Sequence, residues 1–422
     1  MKYTLLVIAI LSIATADKWA LLVSGAGGYS NYSVSSTVCR AYDVLHRSGM
    51  PEDHMIYFGF NSAFDSERNP FPGKIFTDAS DTPGVDYAAE CRPHMDYQDD
   101  MISAELFMAV LSGDKKTVTE LTGIENPRVI ESGPEDTVFV YYMDHGAVGF
   151  VGVGKSYLTD DVLMETLNKM YDNKQYKQLV FYLEACHSGS MFRKLPADKN
   201  IYAMTGADTN HEAMECYCPP YDIMEGKHMG ACMSAWYDNL WMSKVMNEGA
   251  DIPLVDMYKY VHDETAKETE QNVSQFGDIE GMGGDLLSKY IGNYKGASAP
   301  EKVCEGSGNY ADVALHLAKW NAIRATSNAN NALIELKEAV KVEAVKEVSV
   351  MRLARAYFKN DKTADNSMKS APSKFDQDCV RDLTLGLIAQ CGYELPLRDS
   401  HVNALKNICE NGNVMMNFDL IC

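Results

Sequence analysis

Basic residues are scarce in this chain: 38 Lys and Arg stand against 59 Asp and Glu, a formal net charge of −21 over 422 residues. So few cations cannot neutralise a phosphate backbone, which argues against nucleic acid as a partner. The shortage is uneven. Residues 304–422 hold 14 basic and 15 acidic side chains, and residues 1–303 hold the other 24 and 44. Beyond the N-terminal stretch there is no apolar run near the ~18 residues that span a bilayer. The glycines at 25–28 lack G-x-G-x-x-G spacing and no Lys follows, so they read as a turn, not a phosphate cradle. No internal repeat is present, and no metal or other cofactor is implied. Cys216-x-Cys218 with His211 and His228 nearby suits a stapled loop better than a metal site.

What is present begins with a secretory signal pattern over residues 1–16. Lys2 precedes an apolar stretch from Leu5 to Ile13, then Ala14-Thr15-Ala16 offers a small-x-small cleavage site. The mature product is expected in the secretory route, secreted or in an acidic, lysosome-like compartment, where protonation relieves repulsion among its carboxylates. Eleven cysteines permit disulfides there. Cys379, Cys391, Cys409 and Cys422 allow three pairings, and Cys218 and Cys232 bracket a Pro-containing loop that a bridge would staple.

Strand-like runs at 19–24, 54–60, 137–143, 179–183 and 201–205 alternate with helical patterns at 35–47, 99–111 and 159–171. That alternation predicts an α/β/α sandwich around a mostly parallel sheet, over residues 17–291. Residues 292–327 open as a Gly/Ser/Lys-rich linker, and 328–422 read as an all-α domain with helices at 328–358, 376–391 and 400–410.

Two strand ends carry the chemistry. TVFVYYM at 137–143 runs into Asp144-His145-Gly146, and LVFYL at 179–183 runs into Glu184-Ala185-Cys186-His187. Open α/β sheets place their sites at such carboxyl ends. A thiol needs a base or positive charge to become nucleophilic, which His145 would supply to Cys186. The N–H groups of Gly146 and Cys186 would then cradle an oxyanion. The bland alternative is a buried cysteine beside a core histidine, but two matching strand-end motifs favour catalysis. His187 is a rival base, yet neighbouring strand residues point to opposite faces.

These motifs, with W-A-L-L-V-S-G, Asn31-Tyr32, Arg47-x-Gly49-Met50-Pro51 and S-G-P-x-D-T-V-F-V-Y-Y, resemble the legumain family of caspase-fold cysteine peptidases from Trp19 to the C-terminus. The resemblance implies a cysteine endopeptidase, cleaving proteins or peptides after Asn, made as a zymogen. Its disulfide-bonded C-terminal prodomain would be its own inhibitor, released by acid after cleavage at Asn321, with Arg324 as the alternative cut. Cystatin-like inhibitors are implied as partners. Asn31 would orient the imidazole, Asp144 would be the succinimide-forming aspartate, and Glu184 would belong to the S1 pocket. The family pattern expects Cys379–Cys409, Cys391–Cys422 and Cys218–Cys232 bridges. Two sequons occur, at Asn31 and Asn272; a buried catalytic Asn31 leaves Asn272 as the glycan site. The same acyl-enzyme would also serve a transpeptidase, ligase or transamidase, and a silent binder on the fold is the non-enzymatic alternative.

Departures from the family pattern fall in the pocket. Its arginine position is Ser33, a pocket serine becomes Glu212, and a pocket aspartate becomes Ala235, ahead of Trp236-Tyr237. A pocket left with carboxylates satisfies only the donor half of an amide and suits a cation better. Relaxed Asn selectivity or acceptance of Lys and Arg is therefore expected, unless Arg193 or Lys194 refills the site.

Overall fold

The structure, a computed structural model, describes residues 16–80, 83–299, 303–309, 313–324, 329–392, 395–411 and 414. The signal pattern up to residue 15 and Cys422 lie outside these residues.

Seven strands form the central sheet: β1 (Lys18–Ser24), β2 (Met55–Gly59), β3 (Tyr97–Gln98), β4 (Thr137–Met143), β5 (Gln178–Glu184), β6 (Ile201–Thr205) and β7 (Ser274–Gly277). Their order is β7-β6-β5-β4-β1-β2-β3, and only β7 is antiparallel to its neighbour. The five long strands are apolar almost throughout, as strands buried on both faces must be. Alternate residues divide between two cores. Ala20, Leu22, Tyr141 and Tyr182 face one layer, built on α1 (Tyr32–Arg47) and a helix at Trp236–Glu248. Leu21, Val23, Val140 and Phe181 face the other, with Ala104–Leu111 and Asp160–Asp172.

The helix expected from residue 99 starts later. Asp99–Met101 forms a 3-10 turn, and Ser103 caps the helix proper by accepting from Leu106 N. Helix α1 begins three residues before its predicted start, at Tyr32, continuing a 3-10 turn over Tyr29–Asn31.

Beyond the sheet, α2 (Val313–Arg324), α3 (Ala329–Phe358), α4 (Asp361–Ser367), α5 (Gln377–Cys391) and α6 (Asp399–Ile408) follow in order. The short α4 occupies a stretch that reads as a break in the sequence; Asn360 caps it by accepting from Thr363 N. A third core joins Val350, Leu353, Leu383, Leu387, Val402 and Leu405. Among the described residues no helix is long and apolar enough to cross a membrane.

Disulfides link Cys218–Cys232 and Cys379–Cys409, as expected, and also Cys39–Cys91 and Cys216–Cys304. Cys391 is also disulfide-bonded, and Cys186 carries the free thiol.

Candidate active site

The register of β4 and β5 builds the site. Met143 pairs with Glu184, so His145 and Cys186, each two residues further on, stand side by side. Asp144 N donates to Glu184 O at 3.2 Å, carrying the pairing one step past the strand ends. Cys186 packs in the core layer on the α1 side, and His145 reaches Asn31, the residue before α1. Thiol and imidazole therefore share one face of the sheet. Gly146 makes the close approach possible: a Cβ there would lie 2.3 Å from the Cys186 carbonyl oxygen.

Hydrogen bonding fixes the tautomer of His145. Asn31 Nδ2 donates to Gly27 O at 2.7 Å, which turns Asn31 Oδ1 toward His145 Nε2, 2.9 Å away. An amide oxygen only accepts, so Nε2 carries the proton and Nδ1 keeps the basic lone pair. His187 is occupied elsewhere. It adopts a left-handed backbone (φ 56°), and its Nδ1 meets Thr209 O at 3.0 Å.

Both the thiol and the imidazole are held neutral. Burial pushes the Cys186 thiol well above its ordinary value, with Glu212 and Glu184 adding to the effect. Burial lowers His145 to about 4, helped by the Lys346 ammonium. Next to them Asp144 is raised to about 8 by burial, against the bond its Oδ1 accepts from His145 N at 2.5 Å. Gly25 and Gly152 leave room for that carboxyl, since a Cβ at either would collide with its Oδ2. The glycine turn at 25–28 thus accommodates Asp144.

Around the thiol lie more acids than the sequence reading identified. Ala213 N donates to Cys186 Sγ at 3.4 Å. Glu215 follows on the short strand Met214–Cys216, accepts from Ser33 Oγ, and pairs in register with Ala235. Glu184 accepts from Gln271 Nε2 at 3.2 Å. Asp238 accepts from Tyr141 OH at 2.7 Å. Burial raises Glu184 well above the carboxylate range, Glu215 to about 8 and Asp238 to about 7. Glu212 lies apart from these, with His187 and Asp399. The signal for Glu215 was an acid in the otherwise apolar alternation of Ala213–Cys216.

Among the described residues no donor set suits a metal. The Glu215, Cys218 and Cys232 group has its sulfurs bonded to each other. Asp160, Asp161 and Asp378 are matched by Arg193, Lys194 and Arg381. His187, Glu212 and Asp399 are faced by Lys406, on which Asp399 and Glu212 both act.

The C-terminal helices cover this site. Val148, three residues after His145, packs inside their core, and Arg381 lies against Gly149. Arg381 Nη1 donates to Asp160 and Asp161 at 2.7 Å each, and Asp378 accepts from Arg193 and Lys194. Lys406 Nζ donates to Asn210 Oδ1 at 3.3 Å. Ile388, Gly392, Leu395 and Pro396 close a cavity of about 870 Å³ whose other wall includes Asn31, Asp144 and His145. Cys186 is 2% exposed, and Asp399 of α6 acts on its thiol. Asn321 sits inside α2, where Leu317 packs on Cys218 and Cys232 and the ring of His316 meets Pro219 O. Asn272 is half-buried, its amide donating to Asp208 at 2.9 Å.

The geometry has close relatives. Legumain of Mus musculus is 28% identical over 96% of this chain and 92% of its own. The vacuolar-processing enzyme of Vicia sativa is 31% identical over 94% and 83%. A solved caspase-1 of Spodoptera frugiperda overlays 66% of this chain at a TM-score of 0.36 and 9% identity, too loosely to carry an argument. Residues 18–293 match the Peptidase C13 family as a whole. The chain belongs to that family of cysteine-type endopeptidases.

Proposed function

We propose that the chain is a legumain-type zymogen in which Cys186 is the nucleophile, His145 the base and Asn31 the group that orients the base. His145 Nδ1 takes the thiol proton as the Cys186 sulfur bonds to the substrate carbonyl carbon. The oxyanion rests on the N–H groups of Gly146 and Cys186. As the C–N bond breaks, the imidazolium returns its proton to the leaving amine. Water then hydrolyses the thioester and restores the thiol. The side-by-side placement of His145 and Cys186 on one face, with Asn31 bonded to the imidazole, is the observation that carries this reading.

The C-terminal helices act as an intramolecular inhibitor. Support comes from the wall they form opposite Asn31 and His145 and from Lys346, which disfavours the imidazolium the reaction needs. Acid loosens that cover. The Asp161 carboxyl is held below the usual carboxylate range by its bond from Lys194 of its own layer and by Arg381 across the seam. Burial works upward on Asp378, but bonds from Lys194 and Arg193 prevail and lower it. Depressed carboxyls hold the helices in place above about pH 4 and stop doing so as pH falls through their own lower values. An acidic vacuolar or lysosomal compartment fits this behaviour and the name of the Vicia relative.

The test is labelling with a thiol-directed acyloxymethyl ketone after incubation at about pH 3, below the ordinary carboxylate value. Labelling that disappears in Cys186→Ala is expected. Labelling that persists in that variant, or none in the acid-treated chain, overturns the reading.

A further inference from the structure

Besides Glu212, which acts on the thiol from the His187 side, two further buried acids lie near Cys186 and His145. Glu215 is two residues beyond Ala213, whose N–H touches Cys186 Sγ, and it bonds Ser33, two residues beyond Asn31. Glu184, two residues before Cys186, lies on the same side of its strand. Both acids are fully buried. Among the described residues Glu215 Oε2 has no hydrogen-bond partner, and Glu184 receives only the neutral amide of Gln271.

Among the described residues no Lys or Arg forms an ion pair with either acid. The cations that would refill the site are committed elsewhere. Arg193 and Lys194 pair with Asp160 and Asp378. Arg40 bonds Asn239 and Ser243. Buried carboxyls without a counter-charge are costly to keep. Here they lie next to the bond-breaking centre, where an incoming side chain would supply that charge.

We propose that Glu184 and Glu215 form the specificity pocket for a cationic side chain, so that this peptidase cleaves after lysine or arginine in preference to asparagine. The proposal rests on the peptidase reading above and adds the substrate class to it. A P1 amide offers a donor and an acceptor, and its acceptor would face Ser33 Oγ, whose proton Glu215 already takes. An ammonium or guanidinium offers donors alone and forms charge-assisted bonds with both carboxyls. The same pocket moves the self-cleavage point from Asn321, inside α2, to Arg324, its last residue.

The test is a peptide series with Lys, Arg, Asn or Ala at P1, applied to the acid-activated full chain. Lys and Arg peptides should exceed Asn in kcat/KM by about tenfold or more; a preference for Asn overturns the proposal. Glu215→Gln keeps the side-chain shape and still accepts from Ser33. It should cost Lys and Arg peptides about tenfold, mainly in KM, while the Ala peptide stays within about threefold. An equal loss for all peptides shows a merely structural Glu215 and overturns the assignment. A ketone probe with Ala at P1 separates the two layers. Enzyme that labels yet ignores Lys and Arg defeats the pocket alone, whereas enzyme that never labels defeats the peptidase reading. The new N-terminus of the released fragment should be Ala325; Ala322 would contradict the cationic pocket.

Discussion

Carboxyl groups in two regions of this molecule respond to acid in opposite ways. In the sheet layer near the thiol, Asp144 and Glu215 are both raised to about 8, because burial outweighs the hydrogen bonds each accepts. At the seam between sheet and C-terminal helices, Asp161 is lowered by Lys194 and Arg381, and Asp378, despite its burial, by Lys194 and Arg193. A raised carboxyl contributes most below its unfolded value near 4 and loses that contribution as pH climbs toward 8. A lowered one contributes above about 4 and loses it as pH falls further. Acid therefore firms the peptidase layer while it loosens the helices covering it. On the reading proposed above, two environments of one functional group would give a cover that leaves and an enzyme that stays folded.

The comparison can be broken at either region. The largest effect is expected from Gly146→Ala, whose Cβ would strike the Cys186 carbonyl at 2.3 Å. Peptide hydrolysis should fall about 10²-fold or more while the helical core keeps its melting transition; unchanged kcat would show that the approach of the two strand ends is not needed. Leu353→Ala attacks the other side. Leu353 is fully buried in the helical core, so the C-terminal domain should lose about 2–5 kcal/mol in chemical denaturation. Cys186 should then label at neutral pH, and continued protection would separate covering from helical stability.

Arg381→Ala sharpens the seam itself. It removes the bonds to Asp160 and Asp161, and the pH midpoint for exposing Cys186 should move upward by about half a unit to one unit. A downward shift would reverse the sign of the argument. Lys155→Ala supplies the smallest effect. The Lys155–Asp100 pair is 88% exposed on both sides, and neither melting temperature nor release pH should change measurably.

Much of the peptidase layer was legible because its strands are long and apolar and end in His and Cys. Register then follows from alternation: Leu21 and Leu22 belong to different cores, and that parity carries through to residues 145 and 186. The β7 strand, Ser274–Gly277, is four half-buried residues with no alternation to detect. Glu215 escaped because its meaning depends on Ser33, 182 residues away. The Cys39–Cys91 and Cys216–Cys304 bridges likewise join segments whose proximity only the fold creates. The seam was half legible. The acidic excess of residues 1–303 shows in the sequence, but the pairing across the seam runs both ways, since Asp378 of α5 binds Arg193 and Lys194 of the peptidase layer.

The most direct test follows the rate of Cys186 labelling in the intact chain from pH 7 to pH 3, with fragment separation recorded in parallel. Slow labelling at neutral pH, rising with separation as pH falls below about 4, is the result this structure predicts. Full reactivity at pH 7 with the helices still attached, or none after they leave, would contradict it.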